Sequence, residues 1–464
     1  MSRKAIGLIG LGVMGQNLAL NFQHHGYTTA VYNRTEQKTR DFNTLHPEVL
    51  GTYNLADFVN ALDQPRKICL MLTAGSAVDA MLSSLERFLS PGDVVMDGGN
   101  SHFQDTERRC TQMSRLRVHY LGVGVSGGEE GALKGPCIMV GGSREGYAEV
   151  KEMLSKIAAQ ADGPCCQFLG PRGAGHYVKM VHNGIEYAII QVLAEAYDLL
   201  TRAERLNTKK IHGIFENWME GDLNSFLIEI AVRVLGKADP ETKRPIVTLI
   251  LDQAKQKGTG KWTSQNSMDL GIPTPTIDAA VSSRNLSGLK DERVNAAKAL
   301  KPPKRVRVQQ SKLTKVLKGA VQASTIASYA QGFHLMQAAS QEYGYDIPLA
   351  EVARIWKGGC IIRATFLDQI NSAYRTNSSL LNIMTDGHIS KTLTHLEKDW
   401  RQLAKMSRDS AIPIPAINAS LDYFDGYRSA LLPANFIQAL RDLFGAHGYK
   451  RTDKPGEFHT DWVS

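Results

Sequence analysis

Ile6-Gly7-Leu8-Ile9-Gly10-Leu11-Gly12-Val13-Met14-Gly15-Gln16-Asn17-Leu18-Ala19-Leu20-Asn21 carries an apolar segment into three spaced glycines and out into a helical pattern. GxGxxG alone says little. One that leaves a strand, opens a helix and starts a βαβ unit says more, because each glycine then answers a geometric need. Gly10 permits the tight turn, Gly12 lets the backbone approach a pyrophosphate, and Gly15 allows helix and strand to pack closely. The helix start around Leu11, Val13 and Met14 offers free N–H groups and the positive end of a helix dipole to phosphate. The first fifth of the chain is therefore read as a dinucleotide-binding unit.

Outward from that turn, short apolar runs at 5–9, 28–32, 68–72, 94–97 and 119–123 alternate with helix-length segments. This βαβ pattern predicts a parallel sheet covered on both faces, of the Rossmann type. The second run ends at Val31-Tyr32 and is followed by Asn33-Arg34-Thr35, with Lys38 nearby. NAD-binding units usually carry an acid at this place, to accept hydrogen bonds from the ribose 2′-hydroxyl. A guanidinium instead binds a 2′-phosphate through paired hydrogen bonds, so NADP is preferred over NAD.

From about residue 176 the texture turns helical, after the breaker cluster Gly170-Pro171-Arg172-Gly173. Two sets of residues repeat at an offset of 140. Ile272-Pro273-x-Pro275-x-Ile277-x-Ala279 recurs from Ile412 to Ala419, and Phe226-Leu227 with Ile230 recurs as Phe366-Leu367 with Ile370. Val181 and Val321 keep the same offset. The expected organisation is a dinucleotide-binding domain over 1–175, then an all-helical domain over 176–436 built from two similar halves. A tail over 437–464 follows, polar from about 445 and suited to reach outside its own domain.

The net charge of +8 is concentrated. Lys298, Lys301, Lys304, Arg305, Arg307, Lys312, Lys315 and Lys318 carry all of it, without an aromatic residue among them for base stacking. The stretch is read as a solvated basic loop, and no nucleic-acid partner is expected. No apolar run reaches the ~18–20 residues of a membrane span. Met1-Ser2-Arg3-Lys4 leads within a few residues into a strand, leaving no room for a leader, so a cytoplasmic address is expected. The six cysteines lack ligand spacing and are read as structural thiols, with no metal site.

Three segments carry chemistry. Val125-Ser126-Gly127-Gly128-Glu129-Glu130-Gly131-Ala132 follows the fifth strand, at the carboxyl edge of the sheet, where small residues expose N–H groups suited to a carboxylate. On a helix, Lys179, His182, Asn183, Glu186 and Tyr187 recur at spacings of three and four and form one polar stripe beside the domain boundary. Lys257-Gly258-Thr259-Gly260-Lys261-Trp262 has the outline of a phosphate loop, but Trp262 stands where an NTPase needs Ser or Thr. An anion-binding turn remains open there.

Over its whole length the chain resembles the 6-phosphogluconate dehydrogenases, the NADP-dependent decarboxylating enzymes of the pentose phosphate pathway. The resemblance rests on GLGVMGQNLALN at 10–21, MDGGNS at 96–101, GVSGGEEGALKGP at 124–136 and KMVHNGIEY at 179–187. It continues through QKGTGKWTSQ at 256–265, LKDERV at 289–294, GGCIIRA at 358–364 and FGAH at 444–447. It implies Lys179 as the base on the C3 hydroxyl and Glu186 as the acid of the final tautomerisation. Ser126, Gly127 and Gly128 would cradle the substrate carboxylate, with His182 and Asn183 on its hydroxyls and Asn100 a further substrate contact.

Tyr187, Lys257, Thr259 and Arg284 would hold the phosphate of 6-phosphogluconate. Arg441 and His447 would join them from the tail of a partner subunit, which implies a homodimer with exchanged tails. Asn33, Arg34, Thr35, Leu72, Thr73, Ala77, Asn100 and Glu129 match cofactor contacts. Departures from the family's usual residues fall at Thr73, Val140, 188–190, Lys357, Leu440, Leu443 and Gly448. A shorter 3-hydroxyisobutyrate-type dehydrogenase shares the glycine loop and a catalytic lysine but lacks the second helical bundle. An inactive binding or scaffold protein is the alternative from outside enzymology.

Overall fold

The alternating apolar runs form an eight-stranded sheet in the computed structural model, which describes residues 3–255, 258–301 and 310–462. Its strands are β1 (Ile6–Ile9), β2 (Thr29–Tyr32), β3 (Leu50–Thr52), β4 (Lys67–Leu70), β5 (Val94–Asp97), β6 (His119–Ser126), β7 (Cys137–Gly142) and β8 (Cys166–Gly170). They lie in the order β8-β7-β6-β5-β4-β1-β2-β3. The run β3-β2-β1-β4-β5-β6 is parallel and has the doubly wound order in which the order of strand addition reverses between β1 and β4. The glycine turn leaves β1 at that switch point.

The expectation of five parallel strands needs two corrections. The sheet holds three further strands, and β7 runs antiparallel to β6. Only the short Gly128–Lys134 helix separates that pair, and so brief a link cannot make a parallel crossover. The three residues of β3 are too few to print a periodicity.

Alternation along the strands sorts side chains to the two faces. Ile6, Leu8, Val94, Met96, Leu121 and Val123 join one core with Leu18 and Phe22 of the Val13–His24 helix. Ile9, Val95 and Tyr120 join the other with Val78 and Leu82 of the Ser76–Leu85 helix.

Beyond β8 the chain enters the helix Ala174–Arg202, most of whose residues are buried. Its counterpart Gln310–Glu342 packs against it. The 140-residue offset is carried by whole elements: Phe226–Gly236 with Phe366–Thr376, and Pro275–Gly288 with Pro415–Tyr427. Gly271 and Ala411, at equivalent places before the latter pair, both adopt left-handed backbone, with φ of 64° and 51°.

The halves also cap each other. Glu195 of the first long helix accepts from the N–H groups of Ala416 and Ile417, at 2.8 and 3.0 Å. Gln331 of the second accepts from Thr276 N–H at 3.0 Å. Each long helix thus satisfies the open helix start of the opposite half.

The basic stretch is not one loop. Lys298 closes the helix Lys290–Ala299, while Lys312, Lys315 and Lys318 lie in the first turns of Gln310–Glu342, interleaved with buried Leu313, Val316 and Leu317. That interleaving is the helical period, hidden in sequence by the density of charge. Lys304, Arg305 and Arg307 lie outside the described residues. The tail opens as a helix, Ala434–Gly445, then forms a two-stranded hairpin. It is gathered around the buried Asp442 carboxylate, which accepts from Gly448 N–H, His459 Nδ1, Thr460 N–H and Trp462 Nε1.

Burial raises the Glu195 carboxyl from its ordinary 4.5 to about 7 despite its two backbone donors. The folded chain therefore holds this proton over a range where the unfolded chain has released it, so the group costs stability as pH rises through that window. Glu195→Gln imitates the Gln331 cap. It should fold and show a flatter melting temperature between pH 5 and pH 8 than the parent. Glu195→Ala should lose about 1–3 kcal/mol by stranding backbone donors. Thermal denaturation across that pH range checks both.

A candidate active site between the sheet edge and the first long helix

The three glycines of the first turn meet three different surroundings. Gly10 has φ of 105°, and a Cβ there would stand 2.4 Å from the Met71 carbonyl. A Cβ on Gly15 would stand 1.9 Å from the Gly10 carbonyl, so helix and turn touch only because it is absent. Gly12, at the helix N-cap, faces open space within 4 Å, the room a pyrophosphate requires. Leu11 is buried, whereas Val13 is exposed and Met14 half-buried at the helix start.

Asn33 braces the turn: its Oδ1 accepts from Leu11 N–H at 3.0 Å and its amide donates to the Thr35 carbonyl. Arg34, Thr35 and Lys38 are exposed beyond β2, and exposed Thr73 and Ala77 with half-buried Leu72 follow β4. These residues suit a dinucleotide carrying a 2′-phosphate. Glu129 is exposed, and its carbonyl accepts from Asn17 on the first helix at 2.9 Å.

The stripe on Ala174–Arg202 is not a solvated face. Lys179, His182, Asn183 and Tyr187 are buried, and Glu186 is part-exposed. The helix comes this close because β6 offers glycine beneath it: a Cβ on Gly124 would lie 2.5 Å from Lys179 Cβ. Burial lowers the Lys179 pKa against the opposing pull of Glu186, and raises that of Glu186 against Lys179 and Arg284. His182 is held well below its usual value, by burial first and Lys179 second.

A neutral His182 carries one ring N–H. Nδ1 stands 3.1 Å from Asn183 Oδ1, which can only accept, so Nδ1 donates and Nε2 is left to accept from Ser126 Oγ at 3.3 Å. Ser126 is buried, and Gly127 and Gly128 turn away with φ of 132° and 63°. A Cβ on Gly127 would strike the Gly359 carbonyl at 2.7 Å, so the cradle is walled by the 358–360 loop of the helical domain.

One turn along, the Arg284 guanidinium stacks 3.4 Å from the centroid of the Tyr187 ring. Buried Thr259 opens the helix Thr259–Asp269 after the left-handed Gly258. That helix packs on the stripe through Gly260, where a Cβ would meet the Tyr187 ring at 2.4 Å. Lys257 lies outside the described residues. Asn100 is exposed above the buried Asp97–Gly99 segment. Arg441 and His447 are exposed on the tail, the first donating to Gln438 Oε1 and the second against Phe444. Among the described residues, no hydrogen bond or ion pair links either to the stripe.

The family profile described as the NAD binding domain of 6-phosphogluconate dehydrogenase matches residues 5–170. That of the 6-phosphogluconate dehydrogenase C-terminal domain matches residues 175–462. The NADP(+)-dependent, decarboxylating 6-phosphogluconate dehydrogenase of Bacillus subtilis is 47% identical over the whole of both chains. The chain belongs to the 6-phosphogluconate dehydrogenase family. The decarboxylating 6-phosphogluconate dehydrogenase of Synechocystis is 47% identical over all of this chain and 98% of that one. The solved 6-phosphogluconate dehydrogenase of Plasmodium falciparum, described as apo, with NADP+ and with 6-phosphogluconate, superposes with a TM-score of 0.96. It is 41% identical, with 99% of this chain and all of that one covered.

Against the family's usual residues, Lys357 has a clear local role. It pairs with Asp162 of the sheet domain at 2.7 Å and with Asp368 of the helical domain, joining the two. Val140 is a buried residue of β7. Sequence reasoning passed over Arg109 and His176, which lie buried behind Asn100. A signal existed for the first: Phe103, Thr106, Arg109 and Met113 form the buried stripe of one helix, and an arginine on such a stripe needs a partner.

The glycine geometry separates two roles. Gly12→Ala places its Cβ in open space, so it should fold with an unchanged melting temperature yet lose at least about tenfold in NADP affinity. Gly15→Ala should lose both affinity and stability, since the turn itself must open. Calorimetric NADP titration beside thermal denaturation distinguishes them.

Proposed function

We propose that this chain oxidises and decarboxylates 6-phosphogluconate to ribulose 5-phosphate and CO2, with reduction of NADP to NADPH. The observation that carries the reading is buried Lys179 with part-exposed Glu186 on one helix face, their proton affinities pushed toward each other. A base that starts neutral and an acid that starts protonated are what this reaction asks of two side chains.

NADP, bound at the glycine turn with its 2′-phosphate at Arg34, supplies the hydride acceptor. Lys179 takes the proton of the C3 hydroxyl as C3 is oxidised. Its ammonium then returns that proton to the C3 oxygen as the C1–C2 bond breaks and CO2 leaves with the electron pair now in a C2–C3 double bond. Glu186 delivers a proton to the carbon that lost its carboxylate. Lys179 meanwhile takes back the enediol proton, leaving the ketone of ribulose 5-phosphate.

Ser126, Gly127 and Gly128 hold the carboxylate that departs, His182 and Asn183 align the hydroxyls, and Asn100 makes a further substrate contact. Tyr187, Lys257, Thr259 and Arg284 hold the phosphate. Asn33, Arg34, Thr35, Leu72, Thr73, Ala77 and Glu129 line the cofactor, with Gly10–Gly15 on its pyrophosphate. The division at about residue 175 places the cofactor on the sheet and the substrate against the helices.

Arg441 and His447 serve the site of a second subunit in a homodimer with exchanged tails. Exposed Phe436, Ile437, Leu440, Leu443 and Phe444 support this, because a tail helix so apolar calls for a covering surface. A cytoplasmic enzyme of the pentose phosphate pathway fits a described chain in which no helix is long and apolar enough to cross a membrane. The kinship through residue 462, with Arg284 against Tyr187, favours this reading over a 3-hydroxyisobutyrate-type dehydrogenase. A scaffold protein would have no use for a buried amine beside a carboxyl group.

NADPH absorbance should rise when 6-phosphogluconate and NADP are supplied, and a silent, well-folded protein would refute the reading. Lys179→Ala should abolish turnover while leaving NADP affinity within about twofold of the parent. The pH profile of kcat/KM should fall on the acid side as Lys179 protonates and on the alkaline side as Glu186 ionises. Glu186→Gln should remove the alkaline limb. Truncation before Arg441 should raise the KM for 6-phosphogluconate with little change in the KM for NADP.

A further inference from the structure

Arg109 is fully buried, and its guanidinium reaches two segments around the site. Nε donates to Asp79 Oδ1 at 2.8 Å, and Nη2 to the Gly75 carbonyl at 3.0 Å. Nη1 donates to Ser101 Oγ at 3.2 Å and stands 3.4 Å from Asp97 Oδ2. Gly75 and Asp79 flank Ala77 after β4, while Asp97 and Ser101 flank Asn100 after β5. Asp97 is itself held from other sides: it accepts from Ser101 Oγ at 2.6 Å, Tyr120 OH at 3.0 Å and Gly99 N–H at 3.1 Å.

The Asp97 carbonyl accepts from His176 Nε2, on the helix that carries Lys179, at 3.0 Å. A Cβ on Gly99 would stand 2.8 Å from the Leu72 carbonyl, so the loop is wedged against the end of β4. Residues 97–99 and Ser101 are buried, and Asn100 alone reaches the surface.

Burying a guanidinium with a carboxylate seldom stabilises more than apolar side chains of the same volume would. What the pair provides is direction: a planar fork fixes two segments at once where a lysine would fix one. We propose that Arg109 is a positioning residue, which sets the Asn100 loop against the Ala77 loop and the Lys179 helix so that substrate and cofactor meet in register. The proposal rests on the reading of Asn100 as a ligand contact.

Arg109→Lys keeps a charge beside Asp97 but cannot reach Gly75, Asp79 and Ser101 together. It should fold, lower kcat by about tenfold or more, and weaken NADP binding. In an Asn100→Ala background the same change should cost kcat less than about twofold, because the contact through which it acts on turnover is gone. Fold-losses that multiply in the two backgrounds would overturn the inference while leaving the Asn100 reading intact. So would a variant whose melting temperature falls with kcat and NADP affinity unchanged. An Asn100→Ala protein with parental kcat and KM values would overturn both. Should Arg109→Lys fail to fold, Ser101→Ala deletes one branch, leaves the ion pair in place and enters the same cycle with the same expected outcomes.

Discussion

Everything at this site follows from how closely one helix is pressed against one sheet edge. A Cβ on Gly175 would stand 2.4 Å from the Gly122 carbonyl and 2.5 Å from the Gly141 nitrogen, and one on Gly124 would meet Lys179. Glycine on both surfaces removes the side chains that would otherwise hold the helix off the sheet. The Ala174–Arg202 helix therefore lies on β6 and β7 with little between them, and Lys179 on its underside is buried. Burial is the first cause of the lowered Lys179 pKa, of the strongly lowered His182 pKa and of the raised Glu186 pKa. A bulkier residue at any of these glycines would act on catalysis through solvation before touching a reacting atom.

Much of this was legible in the sequence because it is local. The glycine turn needs only the identities of six residues, and Val94–Asp97 has the boundaries read from its apolar run. The stripe from Lys179 to Tyr187 is a spacing argument, and spacing survives folding. What spacing cannot say is which side of a helix faces the protein. The same stripe on a surface helix would be ordinary solvated polarity; only the sheet beneath it makes the difference. The antiparallel β7 was hidden for a related reason, since strand direction is set by the length of a connection whose helix is only Gly128–Lys134.

Arg109 and the tail mark the opposite limit. Arg109 bonds to residues 8 to 34 positions away on separate segments, and no local pattern reports such a convergence. The tail gathers around Asp442 through partners up to 20 residues on, while its apolar helix stays exposed. Its sequence reads as polar because the residues from 445 onward are polar. The preceding helix, with Phe436, Ile437, Leu440, Leu443 and Phe444 on its surface, tells the other half.

The internal repeat explains why there is one such site and not two. At the offset of 140, Lys179, His182, Asn183, Glu186 and Tyr187 correspond to Gly319, Gln322, Ala323, Ile326 and Ala327. Ala323, Ile326 and Ala327 are buried in the helical core, and Phe424 stands where the repeat would place Arg284. Among the described residues, the first long helix packs on β6 and β7 of the sheet, and the second packs on the first. A polar stripe on the second would face other helices, where each unpaired donor or charge costs free energy and gains no ligand. The repeat is accordingly kept where it serves packing, in the proline-started helices, the left-handed caps and the exchanged Glu195 and Gln331 contacts. It is lost where it would serve chemistry. Function in this chain sits where a repeated helical unit meets an element that was not repeated.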